Sequence, residues 1–286
     1  MPSVLRVLGS AVARVHRHNG ILYAGHMAFT AMLSFFPFLI FLTALAGFAG
    51  EPEGAQAFVQ RVFALVPEKV SDALYPAVEE VLTSRHGGLL TFSLVGALWV
   101  ASSGVEAIRH VLNRSYGVVE LRPFWQRRLE SLAVVITGGT LTLVLSLGVI
   151  LGPAIWSIMT SIVDIPPNVA SAVGTAQDLV SVVIIAIILT ILHAYLPCRR
   201  QRLRDVWPGA LLTAMLWIGL ATAFSLYLAN LNDFNMTYGS LGGVVLTLVY
   251  FHVSAVLFIF GAELNAAIQA RWRPANAPAE PAGPAT

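Results

Sequence analysis

The run from His18 to Gly50, HNGILYAGHMAFTAMLSFFPFLIFLTALAGFAG, holds no Asp, Glu, Lys or Arg. A bilayer core takes about 20 residues of helix to cross. Lipid offers no hydrogen-bond partner to an open backbone, so an apolar run of this length reads as a membrane helix. Five more charge-free runs follow: His86 to Val105, Ser131 to Val163, Leu179 to Cys198, Val206 to Asn232, and Phe234 to Ala262. The expectation is an all-α integral membrane protein with six transmembrane helices. They are placed at Ile21 to Phe48, Leu89 to Val111, Ser131 to Ser157, Ala176 to Leu196, Val206 to Ala229, and Tyr238 to Ile268.

Composition points the same way. The 286 residues are 57% hydrophobic and 11% charged, far below the roughly 25% charge of soluble domains. The mean hydropathy is +0.75. A single cysteine, Cys198, excludes an internal disulfide framework and a four-Cys metal centre within one chain. The formal net charge of +2 names no acidic partner such as nucleic acid. The positions of the charges say more. Of the 17 basic residues, only Arg61, Lys69 and Arg85 fall on one side of the predicted membrane, together with most of the acids; the remainder cluster in the alternate segments and at both ends. By the positive-inside rule the chain runs with both termini in the cytoplasm, N-in and C-in. Ala44-Leu45-Ala46 has the small residues of a signal-peptide cleavage site. The apolar run before it exceeds the 7 to 15 residues or so of a cleavable signal, so the helix is expected to remain as an anchor.

Outside the bilayer little is left. Residues 1–20 carry an apolar stripe of Val4, Leu5, Leu8, Ala11, Val12 and Val15, with Arg6, Arg14 and Arg17 off it. That pattern suits a cytoplasmic interfacial helix whose arginines meet anionic headgroups. The membrane domain is 21–268. Within it, residues 51–85 repeat apolar positions at helical spacing on either side of Pro67, as expected of two short amphipathic helices on the outer side. Residues 269–286 are rich in Pro and Ala, with the composition of a disordered tail.

Polar groups at membrane depth are the candidates for function, since each charge there costs roughly 2.5 to 3.5 kcal/mol. At about 1.5 Å per residue, Glu106 and Glu263 both fall in the cytoplasmic third of their helices, and His26, Thr30, Ser102, Ser103 and His193 lie near that depth. Two acids on different helices can hold a cation or share a proton. The structural alternatives are as plain. Glu106 and Arg109 stand at i and i+3 and can simply pair, Glu263 can snorkel toward Arg271, and His26, His193 and His252 suit packing. Pro37 is a kink or a hinge. Gly239 and Gly243 form a small-xxx-small face for a neighbouring helix.

Several of these residues fall in a recognisable pattern. HMAFTAMLSFFP from His26 to Pro37, Ser102-Ser103-Gly104 leading to Asn113-Arg114-Ser115-Tyr116-Gly117, Tyr238-Gly239-Ser240-Leu241, and Gly261-Ala262-Glu263-Leu264-Asn265 together resemble the YihY/BrkB family of bacterial inner-membrane proteins. The resemblance covers residues 10–270, with His252 as a departure. It implies a multi-pass inner-membrane protein, favours a transporter of a small polar solute or ion, and adds Gly261 to the candidate packing positions.

Members of that family often carry the label ribonuclease BN. A two-metal nuclease needs clustered ligands of the HxHxDH kind. No such cluster is in the sequence, His16 and His18 have no acid beside them, and no metal or other cofactor is expected. No phosphate-binding loop of the G-x-x-x-x-G-K-[ST] kind is present, so transport would be secondary or channel-like. The competing expectation is a non-transporting envelope protein that binds lipid or organises partners.

Overall fold

The computed structural model describes residues 4–48, 87–162, 167–229 and 234–272. The expected outer helices at 51–85 and the tail beyond 272 lie outside the described residues. Those residues form seven helices and no strand. They are α1 (Val4–Arg17), α2 (Gly20–Phe48), α3 (Gly87–Ser115), α4 (Phe124–Ile162), α5 (Pro167–Tyr195), α6 (Leu203–Ala229) and α7 (Phe234–Trp272).

The described part of each charge-free run is therefore mainly helical, but several helices outrun the runs. α4 begins at Phe124 rather than Ser131, because Arg128 and Glu130 find partners at the helix end and the backbone need not unwind to expose them. Three described stretches are long and apolar enough to cross a membrane: Phe124–Leu145, Leu203–Tyr227 and Gly243–Ala270. Gly20–Phe35 and Val182–Tyr195 are shorter apolar stretches. α2 continues through Pro37 without a break. Gly239 and Gly243 lie in the opening turns of α7.

α7 packs on α6, α2 and α1, α2 packs on α3, α5 on α6, and α4 on α3. The core that results is built largely of alanine, with Ala24, Ala101, Ala210, Ala214, Ala262 and Ala266 buried. Small side chains let helix axes approach where no water drives association. The polarity is inside out for a soluble protein. Leu22, Trp125 and Leu226 are among many exposed apolar side chains, while Arg109, Asn113, Glu263 and Asn265 are buried. A lipid solvent accounts for both halves of that pattern.

A close crossing of α6 and α7 uses a pair the sequence does not announce. A Cβ added at Gly209 would lie 2.1 Å from the Gly261 carbonyl oxygen, and one at Gly261 would lie 2.0 Å from Thr213 Oγ1. One step earlier, Pro208 interrupts the hydrogen-bond ladder of α6. Asn265 reaches across to the backbone there: its Oδ1 accepts from Gly209 N–H at 2.7 Å and its Nδ2 donates to the Val206 carbonyl at 2.7 Å. The Gly-Ala-Glu-Leu-Asn motif thus locks α7 onto a weakened turn of α6.

At the other end of α3 the Asn113 to Gly117 stretch makes a Schellman cap. Val118 N–H donates to the Asn113 carbonyl at 2.8 Å and Gly117 N–H to the Arg114 carbonyl at 3.1 Å. Gly117 takes the left-handed conformation this requires, with φ of 65°.

Candidate functional site

The arginine-rich end of the bundle holds a cavity of about 410 Å³ between α2, α3 and the start of α4. His26 and Thr30 stand one turn apart on α2. Ser103, Glu106, Arg109 and His110 line the cavity from α3, and Arg127 from α4. Four of the residues singled out by depth along the sequence, His26, Thr30, Ser103 and Glu106, meet here with Arg109, the expected partner of Glu106. Asn113 and Glu120 close its rim.

The charges inside it are largely committed to one another. Glu106 Oε1 accepts from Arg109 Nη1 and, at 2.6 Å, from Ser131 Oγ on α4. Arg109 is 1% exposed. Its guanidinium also donates to the Arg127 carbonyl at 3.1 Å and to Glu130 at 3.5 Å. Glu120 is held by Arg122 Nε at 2.9 Å and by Asn113 Nδ2 at 2.8 Å. Partial burial works to raise the Glu120 carboxyl, but these donors outweigh it and hold it down at about 2. The Nε of Arg127 is buried and has no hydrogen-bond partner among the described residues. Pairing around the cavity therefore leaves one arginine N–H donor unused.

The rim is also a strut between helices. Asn113 Oδ1 accepts from Cys198 N–H at 2.8 Å, and Arg122 Nη2 donates to the Leu196 carbonyl at 3.0 Å. The loop after α3 is thereby tied to the end of α5.

The remaining candidates stand elsewhere. Ser102 is buried and donates to the Trp99 carbonyl of its own helix at 2.7 Å. Glu263 does not reach the cavity. It is fully buried, with Arg14 Nε 2.8 Å from Oε2 and His18 Nδ1 2.6 Å from Oε1. Neither the snorkel toward Arg271 nor the contact of Arg14 with headgroups describes this arrangement, and His18 does have an acid beside it. A buried carboxylate is stabilised far more by two donors at hydrogen-bond distance than by a distant interface. Arg14 also donates to the Ser115 carbonyl at 2.9 Å and Arg114 to the His18 carbonyl at 2.9 Å. Glu263 therefore sits at a knot joining α1, α3 and α7. Pro37 and Gly261 belong to helix shape and packing. His193 is buried, with Nδ1 2.7 Å from the Leu189 carbonyl oxygen and its ring 4.8 Å from Phe258. His252 lies beside Gly25 of α2.

Sequence reasoning missed His110 and Arg127. His110 follows Glu106 by four residues, so it shares that helix face and was within reach of the periodicity. Arg127 carried no signal beyond its contribution to topology. Among the described residues no three His, Cys, Asp or Glu side chains group as a metal ion would need.

The profile of the family described as Virulence factor BrkB matches residues 11–286. The chain is 31% identical over 259 residues to the protein named Putative ribonuclease-like protein YfkH of Bacillus subtilis, covering 91% of this chain and 94% of that one. It is 24% identical over 278 residues to a UPF0761 membrane protein of Alteromonas mediterranea, covering 93% and 89%. A UPF0761 membrane protein of Delftia acidovorans is 26% identical over 85% of this chain, which spans 57% of that longer relative. No solved structure matches.

Proposed function

We propose, for a chain that belongs to the BrkB family of membrane proteins, that it is a multi-pass protein of the bacterial inner membrane working as a secondary transporter or exporter of a small polar solute or ion. Six crossings with both termini in the cytoplasm are part of this reading, and the polar cavity then opens to the cytoplasm. The observation that carries it is the convergence of His26, Thr30, Ser103, Glu106 and Arg109 on one cavity of about 410 Å³. Polar groups at membrane depth are costly and gather where water or a solute passes.

The geometry revises the chemistry that a pair of acids would suggest. Glu106 and Glu263 do not share a site, and Glu106 is balanced by Arg109. What the cavity offers beyond its internal pairs is the Arg127 guanidinium, the His26 and His110 rings and the Thr30 and Ser103 hydroxyls. That set favours a solute rich in acceptor oxygens over a bare cation.

A second reading has its own support. Glu106, Arg109, Ser131 and Glu130 form a closed network that ties α3 to α4, as a purely structural device would. Under that reading the protein binds lipid or organises partners without transporting. The name of the Bacillus relative raises a nuclease only as a likeness, and we assign no catalytic role to any residue.

Solid-supported membrane currents separate the two readings. Proteoliposomes are challenged in turn with jumps of small carboxylates, phosphate, amino acids, sodium, potassium and protons. The transporter reading expects a current for at least one class, reduced about tenfold or more in Glu106→Gln at unchanged folded yield. No current for any class, or a loss that only follows folded yield, rejects it.

A further inference from the structure

A larger cavity, of about 650 Å³, lies at the same end of the bundle between other elements. Its walls are the segment joining α5 to α6 and the last turns of α7. Arg199, Arg200, Arg202 and Arg204 line it, with Asp205 as the one acid and Gln269 contributed by α7. Asp205 lies 3.5 Å from Arg204, so it offsets only part of the charge. α6 starts at Leu203, and its first-turn N–H groups add the positive end of a 27-residue helix to the same space.

Topology alone would put arginines on this side of the membrane. It would not gather them around a cavity, nor leave an unsatisfied donor in its wall. The Nε2 of Gln269 is buried and has no hydrogen-bond partner among the described residues. A buried amide N–H without an acceptor costs about 1 to 3 kcal/mol, and the Gln269 side chain that carries it borders the arginine-lined pocket.

The depth of the cavity is marked by its neighbours. Trp207, one turn into α6, and Tyr195, at the end of α5, are both exposed. Arg200 lies over the Tyr195 ring at 5.7 Å. Exposed Trp and Tyr at helix ends sit at headgroup level. An acceptor bound here would therefore be presented by the membrane surface or reach it from the adjoining water.

We propose that this pocket binds a phosphate group, held by the arginines of the α5–α6 segment and by the Gln269 amide. Guanidinium forks match phosphate oxygens in pairs, and the Gln269 N–H₂ supplies the neutral donor. A phospholipid headgroup and soluble phosphate share this chemistry. The aromatic neighbours favour the headgroup. The site is separate from the polar cavity and does not depend on transport.

The test uses purified full-length protein in an uncharged detergent, with tryptophan fluorescence and thermal stability as readouts. The probes are dihexanoyl phosphatidylglycerol, dihexanoyl phosphatidylcholine and inorganic phosphate. The anionic lipid is expected to bind and to raise the melting temperature, and the zwitterionic lipid to do so far less. Each arginine near a membrane surface contributes roughly a fivefold gain in affinity. Replacing Arg200, Arg202 and Arg204 together by Gln should then weaken binding on the order of a hundredfold. Gln269→Leu should weaken it several-fold at unchanged net charge, and this variant carries the test if the triple replacement fails to fold. Inorganic phosphate binding as tightly as the lipid, with the same sensitivity to the variants, supports the site and names a soluble source. Equal binding of the two lipids overturns the proposal. So does an equal loss when Arg6 and Arg17, exposed arginines of α1, are replaced by Gln instead.

Discussion

Replacing Glu263 by Gln tests whether this acid is the knot that holds α1 to the bundle. Gln preserves the volume and can still accept from Arg14, so the packing around α7 survives and only the charge is removed. Breaking a fully buried ion pair costs about 3 to 5 kcal/mol. Here the carboxylate side chain is 1% exposed, but Arg14 and His18 are 26% and 28% exposed, so the stranded partners can recover water. A hydrogen bond to a charged group, about 1.5 to 3 kcal/mol, is the better guide, and a loss of about 2 kcal/mol is expected. Arg14→Gln leaves the carboxylate buried with His18 as its one remaining side-chain partner and should cost about 3 kcal/mol. The two should not add. Unfolding in mixed micelles of sodium dodecyl sulfate and dodecyl maltoside, followed by circular dichroism, gives the cycle. Coupling of about 1 to 2 kcal/mol is expected, with faster tryptic cleavage at Arg17 in each single variant. Additivity within about 0.5 kcal/mol and an unchanged cleavage rate would show that the pair does not hold α1, and the account of Glu263 would fall.

Two further outcomes follow from the same geometry. Gly209→Ala should abolish or sharply reduce folded yield, since its methyl would lie 2.1 Å from the Gly261 carbonyl oxygen and 2.6 Å from the Asn265 amide, whereas Gly96→Ala, with nothing within 4 Å, should be neutral or slightly stabilising. Glu120 is held down at about 2 from an ordinary value of 4.5. A depressed carboxyl stabilises the fold above the unfolded value and loses that contribution as pH falls through the folded one. Melting temperature should therefore drop between about pH 4.5 and 2, and Glu120→Gln should start lower and drop less over that window. Parallel curves for the two proteins would contradict the assignment.

The helices α2 to α7 were legible because each contains a charge-free run, and a backbone crossing lipid must satisfy its own hydrogen bonds. Their ends were not. α4 gains its first turn from pairs that Arg122 and Arg128 make with Glu130 and the Trp99 carbonyl, contacts no local pattern encodes. The same limit separates the two acids. Glu106 and Arg109 are three residues apart and their pairing could be read directly. Arg14 and Glu263 are 249 positions apart, so a single sequence put one at the headgroups and the other inside its helix without joining them. Gly209 was invisible for the same reason: its meaning depends on Gly261 across the α6–α7 crossing. The count of crossings rests on the sequence, with three sufficient stretches among the described residues.

On the transporter reading, Ser103, which lines the polar cavity, faces water continuous with the cytoplasm. Ser103→Cys in a Cys198→Ser background isolates one thiol, and serine keeps an acceptor for the Leu121 N–H that Cys198 Sγ receives at 3.5 Å. A membrane-impermeant maleimide should label this thiol rapidly in inside-out vesicles and far more slowly in right-side-out vesicles or intact spheroplasts. Leu33→Cys, an exposed apolar position deeper along α2, should resist labelling from both sides. Ser103→Cys that is protected in inside-out vesicles, or labelled equally from both sides, would contradict a polar cavity open to the cytoplasm.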